Sequence, residues 1–174
     1  MKKLLLTLLI LFAISPLLFA KITLPSVFAD NMVLQQNSDV AIWGWSNPGE
    51  TVKIVASWSN KDTVKVKANN AAAWKTSIKT IGAGGPHSIK IIGDQGITLN
   101  NVMLGEVWIC RGQSNMEMSV NWKLINGEEE AAKANNPNIR IFHVQKLGAT
   151  YPQQNCNATW TLCTPETMRA TSAV

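Results

Sequence analysis

Short apolar stretches separated by polar turn residues fill the first hundred residues of the chain. Candidate strands follow one another at residues 33–34, 40–45, 52–58, 64–68, 74–78 and 87–92. The segments between them are rich in Asn, Asp, Gly and Pro, which favour turns. Regularly spaced short strands with polar turns predict an antiparallel β-sandwich over residues 21–101.

Alternation within these segments indicates which residues face the core. Val52, Ile54 and Ala56 share one face of their strand, because successive side chains of a strand point to opposite sides. Four of the seven tryptophans also lie in this region, at positions 43, 45, 58 and 74. They could line a sugar-binding face, but indole rings bury a large area and are more often part of a core. We therefore interpret them as core residues.

The pattern changes after residue 101. The apolar run from Val107 to Cys110 predicts a buried strand, and residues 139–144 predict a second one. Between them, residues 126–134 predict a helix, because three glutamates occupy its first turn. Asn135-Asn136-Pro137 ends that helix. Two strands joined by helical sequence indicate a βαβ unit, so residues 102–174 are expected to begin an α/β domain with a parallel sheet.

Ser114 occupies a suggestive position after the first of these strands. Gly112 permits a sharp turn, and residues 115–123 can open a helix. A serine hydroxyl at the carboxyl edge of a sheet lies where ligands of α/β folds collect, beside backbone N–H groups that can bind an anion. Acyl transfer needs this arrangement. Alternatively, Ser114 simply caps a helix.

Composition and charge narrow the function classes. The chain carries 16 Lys and Arg residues against 11 Asp and Glu, a net charge of +5. Without Lys2 and Lys3 the balance is 14 against 11, or +3. The remaining basic residues are scattered and form no stripe with interleaved aromatics, so nucleic-acid binding is not expected.

The first twenty residues have the form of a secretory signal peptide. Two lysines precede an apolar stretch that ends at Ala20, the expected cleavage site. The stretch is short for a transmembrane anchor and is interrupted by Ser15-Pro16. We therefore expect a secreted or periplasmic protein without stable membrane insertion after cleavage.

Three cysteines remain in the exported part. Cys110 lies in the predicted buried strand and is interpreted as a small apolar core residue. Cys156 and Cys163 could form a local disulfide in an oxidising compartment, but the odd number of cysteines leaves the pairing open.

The run Gly-Glu-Val-Trp-Ile-Cys-Arg-Gly-Gln-Ser-Asn-Met-Glu-Met, residues 105–118, resembles the first signature block of the sialate O-acetylesterase family. Members of that family are SGNH-type (GDSL-like) serine esterases. Further segments match in order and spacing, at residues 28–35, 43–45, 48–52, 84–87 and 101–104. The resemblance covers essentially everything after residue 21.

The resemblance implies that residues 102–174 are the N-terminal part of an SGNH hydrolase domain with a flavodoxin-like parallel sheet. It assigns Ser114 as the nucleophile, with its backbone N–H as one oxyanion donor. The flanking Gln113 and Asn115 are candidate substrate-binding residues. Arg111 departs from the pattern, because the family usually has a small residue there.

The family's other oxyanion donors, a glycine and an asparagine, come from later blocks, and its histidine base from a later Asp-x-x-His motif. None of these blocks occurs in the 174 residues. His87 lies in a Gly-Gly-Pro-His turn, and His143 has Arg140 where the motif needs an acid. We therefore expect an incomplete catalytic domain that is inactive alone.

The expected function of the full-length protein is hydrolysis of acetyl esters on sugars such as sialic acid, through a serine acyl-enzyme. The resemblance implies an acetylated carbohydrate substrate and no metal or organic cofactor. The alternative is a non-catalytic β-sandwich that binds glycans or a partner and retains a vestigial serine loop. A third possibility is that an open sheet of so few strands does not fold stably.

Overall fold

The computed structural model describes residues 21–59 and 62–172, so the expected signal peptide lies outside the described residues. Seven strands come first: β1 (Val33–Gln35), β2 (Asp39–Trp45), β3 (Thr51–Ala56), β4 (Thr63–Lys67), β5 (Ala73–Lys79), β6 (Gly84–Ile92) and β7 (Ile97–Gly105). They are followed by two 3-10 turns (Ser114–Glu117 and Val120–Trp122), helix α1 (Gly127–Lys133), strands β8 (Asn136–Phe142) and β9 (Trp160–Cys163), and helix α2 (Pro165–Arg169). In the described part of the chain, no helix is long and apolar enough to cross a membrane.

The first seven strands form two sheets. One has five strands in the order β1-β7-β6-β3-β4, and the other consists of β2 and β5. All neighbours are antiparallel except β1 and β7, which run parallel. The structure therefore has a strand at each of the six predicted positions, and most of this region is β-structure.

One apolar core is built from both sheets. Val52, Ile54 and Ala56 of β3 are buried, as their alternation predicted. Ile89 and Ile91 of β6 and Ile42 and Trp74 of the β2–β5 sheet join the same cluster. The period-2 pattern succeeds here because each strand has one covered face and one solvated face.

Strand β7 was not among the predicted strands, although it pairs on both sides. Its middle contains Asn100 and Asn101, residues that favour turns over strands. His87 pairs with Val102, and Ile89 pairs with Leu99. The two paired positions are therefore three residues apart on β7 but two apart on β6, and a bulge accommodates the extra residue. Asn101 has a φ of 53°, within the left-handed region that asparagine tolerates. The predicted boundary between residues 101 and 102 lies within this strand.

The region after β7 differs from the predicted βαβ unit. Helix α1 is present where it was predicted, but β8 pairs antiparallel with β9. Residues 106–113 form no strand. A strand needs a neighbour for its backbone N–H and C=O groups. Within the described ranges, β8 is paired with β9 and not with this segment, so no parallel sheet forms.

Residues 153–160 fasten this second region to the first sheets. The Trp160 indole N–H donates to the Val27 carbonyl at 2.8 Å, and the ring packs against the core. The Ser26 N–H donates to Asn155 Oδ1 at 2.8 Å, and the Ser26 hydroxyl donates to the Cys156 carbonyl at 2.6 Å. Trp160 therefore joins the two regions in two ways: its ring makes apolar contacts with the core, and its N–H makes the hydrogen bond that a largely buried indole needs.

The cysteines and tryptophans have mixed outcomes. Cys110 is exposed, which corrects its assignment to the core, and Cys156 and Cys163 are both free thiols. Trp74 is buried in the core, as we interpreted it. Trp43 and Trp58 are partly buried and pack against that core, whereas Trp45 is partly buried and lies outside the core cluster.

Two neighbouring isoleucines of β6 test the sheet assignment. Ile91 is fully buried, whereas Ile92 is 41% exposed. We expect Ile91→Ala to lower the free energy of unfolding by roughly 2–5 kcal/mol, because it leaves a cavity in the core. Ile92→Ala is the matched control and should cost about 1 kcal/mol or less. Urea denaturation measures both, and equal losses would contradict the observed facing of β6.

Candidate functional site

The segment from Glu106 to Met118, here called the serine loop, leaves the core directly from the end of β7. Its apolar residues are largely exposed: 42% for Val107, 83% for Trp108 and 87% for Ile109. The prediction of a strand covered on both faces is therefore wrong for the described structure. The apolar side chains are present, but no described element lies over them, so they face solvent.

The first residues of the serine loop are held by two glutamines at the end of β1. Gln36 Nε2 donates to Glu106 Oε1 at 2.7 Å, and Gln35 Nε2 donates to Glu106 Oε2 at 3.0 Å. Gln35 Oε1 also accepts from the Val107 N–H at 2.9 Å. These bonds, from Gln35 first and Gln36 second, lower the pKa of Glu106, because they stabilise the ionised carboxylate.

Further hydrogen bonds fix the two glutamines themselves. Gln36 Oε1 accepts from the Ala83 N–H at 2.7 Å, and the buried Thr80 hydroxyl lies 2.7 Å from the Gln35 carbonyl, to which it donates. The Gln36 N–H donates to the Gly105 carbonyl at 2.9 Å. The start of the serine loop is thereby tied to β1 and to the turn between β5 and β6.

Ser114 is the first residue of a 3-10 turn and is exposed. Gln113 precedes it in an extended conformation, and its carbonyl accepts from the Met116 N–H at 3.0 Å. Gly112 permits this compact geometry, because a Cβ there would lie 2.7 Å from Met116 Cγ. Among the described residues, no hydrogen bond engages the Ser114 hydroxyl, which leaves it accessible as a nucleophile.

The helix predicted over residues 115–123 is replaced by two short 3-10 turns. Ser119 between them is extended, with a ψ of 177°, and Lys123 ends the second turn with a φ of 61°. Ser119, Val120 and Asn121 all have modest helix propensity, so the sequence does not sustain an α-helix here.

The other candidate residues lie around the serine without forming a triad. Gln113, Asn115 and Arg111 are exposed. Glu117 forms an ion pair with Lys146. Within the described ranges, no hydrogen bond joins either histidine to Ser114, and no group of three or more His, Cys, Asp or Glu side chains could hold a metal ion.

The two histidines lie elsewhere. His87 Nδ1 lies 3.4 Å from the Ser57 hydroxyl, and its ring meets the Trp58 indole edge-on at a centroid distance of 5.1 Å. These contacts fit a structural role. His143 is exposed just after β8.

Sequence reasoning proposed Ser114 as a site residue but missed the contacts of Gln35, Gln36 and Glu106. The only available signal was the pair of glutamines after a short apolar strand. Their role depends on the parallel register between β1 and β7, which aligns Gln35 with Gly105. Residues about seventy positions apart in the chain are brought together by that pairing.

Comparison with known proteins gives consistent results. The chain is 31% identical over 131 residues to the sialate O-acetylesterase of Mus musculus, covering 69% of this chain and 24% of that protein. It is 30% identical over 135 residues to the human sialate O-acetylesterase, covering 71% of this chain and 25% of that protein. The chain thus spans about a quarter of the length of these curated relatives. No family model matches the sequence.

A solved structure is also similar. The crystal structure of a carbohydrate acetylesterase from Xanthomonas citri superposes with a TM-score of 0.80 at 30% sequence identity. The match covers 88% of this chain and 35% of that one.

The carboxyl group of Glu106 provides a test of the glutamine contacts. Replacing both Gln35 and Gln36 with alanine should raise its pKa to the ordinary glutamate value, measured by carboxyl NMR titration. Stabilisation from these bonds is present above the unfolded-state pKa and is lost as the pH falls through the lowered folded-state pKa. The loss of stability in the variant should therefore be larger near neutral pH than in acid, where the loss of the bonds from the Val107 and Ala83 N–H groups remains.

Glu166 is the internal control for that titration. Its pKa is lowered by a hydrogen bond from the Thr164 side chain, which the glutamine substitutions do not touch. If the pKa of Glu106 stays low in the double variant, the two glutamines do not cause the shift.

Proposed function

We propose that this chain, which belongs to the sialate O-acetylesterase family, supplies the serine nucleophile of an enzyme that removes acetyl groups from sugars. The observation that carries the proposal is the identity of about 30% with acetylesterases over about 70% of the chain. The exposed hydroxyl of Ser114 on a loop fastened to β1 supports the same conclusion.

In the proposed reaction, Ser114 Oγ attacks the acetyl carbonyl carbon while a histidine base accepts the hydroxyl proton. Negative charge develops on the carbonyl oxygen, and the Ser114 N–H donates a hydrogen bond to this oxygen. The tetrahedral intermediate collapses to an acetyl-serine, and the departing sugar oxygen takes the proton from the histidine and leaves as a hydroxyl. Water then attacks the acetyl-serine while the histidine accepts its proton, acetate leaves, and the proton returns to Ser114 Oγ.

The base and the remaining oxyanion donors belong to parts of the enzyme beyond the described residues. Neither His87 nor His143 contacts Ser114 within the described structure, so we expect the 174-residue chain alone to lack turnover. Alignment of the catalytic imidazole contributes a large factor to serine hydrolases, and a lone serine hydroxyl is a weak nucleophile.

The finer fold assignment is part of the same proposal. We interpret the region up to the end of β7 at Gly105 as a β-sandwich domain and the residues that follow as the incomplete start of an SGNH α/β domain, which moves the predicted boundary at residues 101–102 to the end of that strand. The exposed apolar side chains of Val107, Trp108 and Ile109 support this. Contiguous exposed apolar residues mark surfaces that are covered in the functional assembly. A neighbouring parallel strand would pair with the backbone of this segment, and helices on the two faces of the sheet would cover these side chains.

We propose that the protein is secreted or periplasmic. The support is the sequence of residues 1–20, with its basic start, apolar stretch and terminal Ala20.

The test compares two proteins: the 174-residue chain, and the product obtained when the reading frame is extended past codon 174. Both are assayed with p-nitrophenyl acetate and with O-acetylated sialic acid. We expect turnover only from the extended product. Ser114→Ala should reduce its kcat by roughly a thousandfold or more, because it removes the nucleophile.

Ser77→Ala is the matched control, since Ser77 is an exposed serine on β5, and it should leave the activity unchanged. Retention of full activity by the Ser114→Ala variant would contradict the assigned nucleophile. Turnover by the 174-residue chain, abolished by Ser114→Ala, would contradict the inactivity of the isolated chain.

A further inference from the structure

A cleft of about 420 Å³ lies over the two-stranded β2–β5 sheet. No residue of the serine loop lines it. It is lined by Trp43, Gly44, Asn69, Ala73, Trp74, Lys75, Gln153 and Gln154. The Trp74 side chain is buried in the core, so the cleft combines one indole ring, that of Trp43, with amide and ammonium groups.

Packing contacts hold the Trp43 ring at the cleft and the Trp74 ring in the core below it. The Trp43 ring meets Phe28 edge-on at a centroid distance of 4.7 Å, and its indole N–H donates to the Gln154 carbonyl at 3.4 Å. Opposite Trp74 in the register is Gly44, where a Cβ would lie 2.8 Å from Trp74 Cζ2. Only glycine leaves room at this position, so β2 allows the Trp74 ring to pack directly on its backbone.

The polar groups are partly fixed and partly available. Asn69 Oδ1 accepts from the N–H groups of Ala71 and Ala73 at 2.9 and 3.0 Å. Within the described part of the chain, Asn69 Nδ2 donates no hydrogen bond. Gln153 Nε2 donates to the Tyr151 carbonyl at 3.0 Å, so its Oε1 can accept. Lys75, the cross-strand neighbour of Trp43, forms no ion pair with any described carboxylate.

A second cleft, beside the turn at Asn47–Thr51, is less suitable. Its Glu50 carboxylate already accepts from the Asn47 N–H at 2.9 Å and from the Asp94 N–H at 2.7 Å. These bonds hold two turns together, so the carboxylate has a structural task. No aromatic side chain lines that cleft.

We infer that the cleft on the β2–β5 sheet binds a pyranose ring of a glycan. The apolar face of such a ring packs on the Trp43 indole, while its hydroxyls accept from Asn69 Nδ2 and donate to Gln153 Oε1. The Lys75 ammonium donates to an oxygen of the sugar. Where the sugar carries a carboxylate, this hydrogen bond is charge-assisted. Binding here does not require Ser114, so the inference goes beyond the proposed esterase activity.

The experiment titrates the purified chain with the methyl glycosides of N-acetylneuraminic acid and N-acetylglucosamine. Indole N–H signals in ¹H–¹⁵N spectra report binding. We expect a saturable shift of the Trp43 signal. Trp43→Ala should weaken binding of both sugars by about tenfold, because it removes the apolar platform. Lys75→Ala should weaken binding of the acidic sugar alone.

Trp122→Ala is the matched control, because Trp122 is 57% exposed and lies outside the cleft. It should leave both affinities unchanged. If Trp43→Ala does not fold, Gln153→Ala decides, since Gln153 is exposed and its loss should still weaken binding.

Two results would overturn the inference: no saturable shift with either sugar, or binding that a folded Trp43→Ala variant retains in full. Neither result bears on the esterase, which the Ser114→Ala comparison tests separately. Unchanged binding by Ser114→Ala would show that the bound sugar occupies the cleft and not the serine loop.

Discussion

The pairing of β7 on both of its edges determines where the serine is placed. β7 lies between β1 and β6, and its side chains Val102 and Leu104 are buried in the core. The serine loop continues from this strand without an intervening element. The parallel neighbour β1 then brings Gln35 and Gln36 to the loop's first carboxylate. Loss of the β1–β7 register would release the loop from both glutamines together.

Local sequence predicted much of the fold but only part of the site. The alternation of apolar and polar residues located β3, because one face of this strand is covered by the core and the other faces solvent. β7 was missed because its asparagines favour turns locally. Pairing with a strand on each side offsets the low strand propensity of these asparagines. Apolar content predicted burial of residues 107–110, but these residues are exposed in the described structure, because apolar content carries no information on whether a covering element is present. The glutamine contacts depend on long-range register, which a single sequence does not encode visibly.

The match to a quarter of each relative suggests how the chemistry of the proposed enzyme is divided along its chain. In the proposed enzyme, the described residues supply the nucleophile and one oxyanion donor from a scaffold with its own core, and other parts of the enzyme supply the proton-transfer groups. All residues that line the proposed sugar cleft on the β2–β5 sheet, in contrast, are described. The two proposals together therefore assign sugar binding and ester cleavage to different sites.

The exposed Trp108 indole gives the chain a built-in optical reporter. Its ring is 83% exposed and lies six residues before Ser114. Indole emission moves to shorter wavelengths when water is removed from the ring. Any element that covers the serine loop would therefore blue-shift the fluorescence of Trp108. Because six other tryptophans also fluoresce, the difference in emission between the parent and a Trp108→Phe variant follows assembly of the site in time without a substrate and without a label.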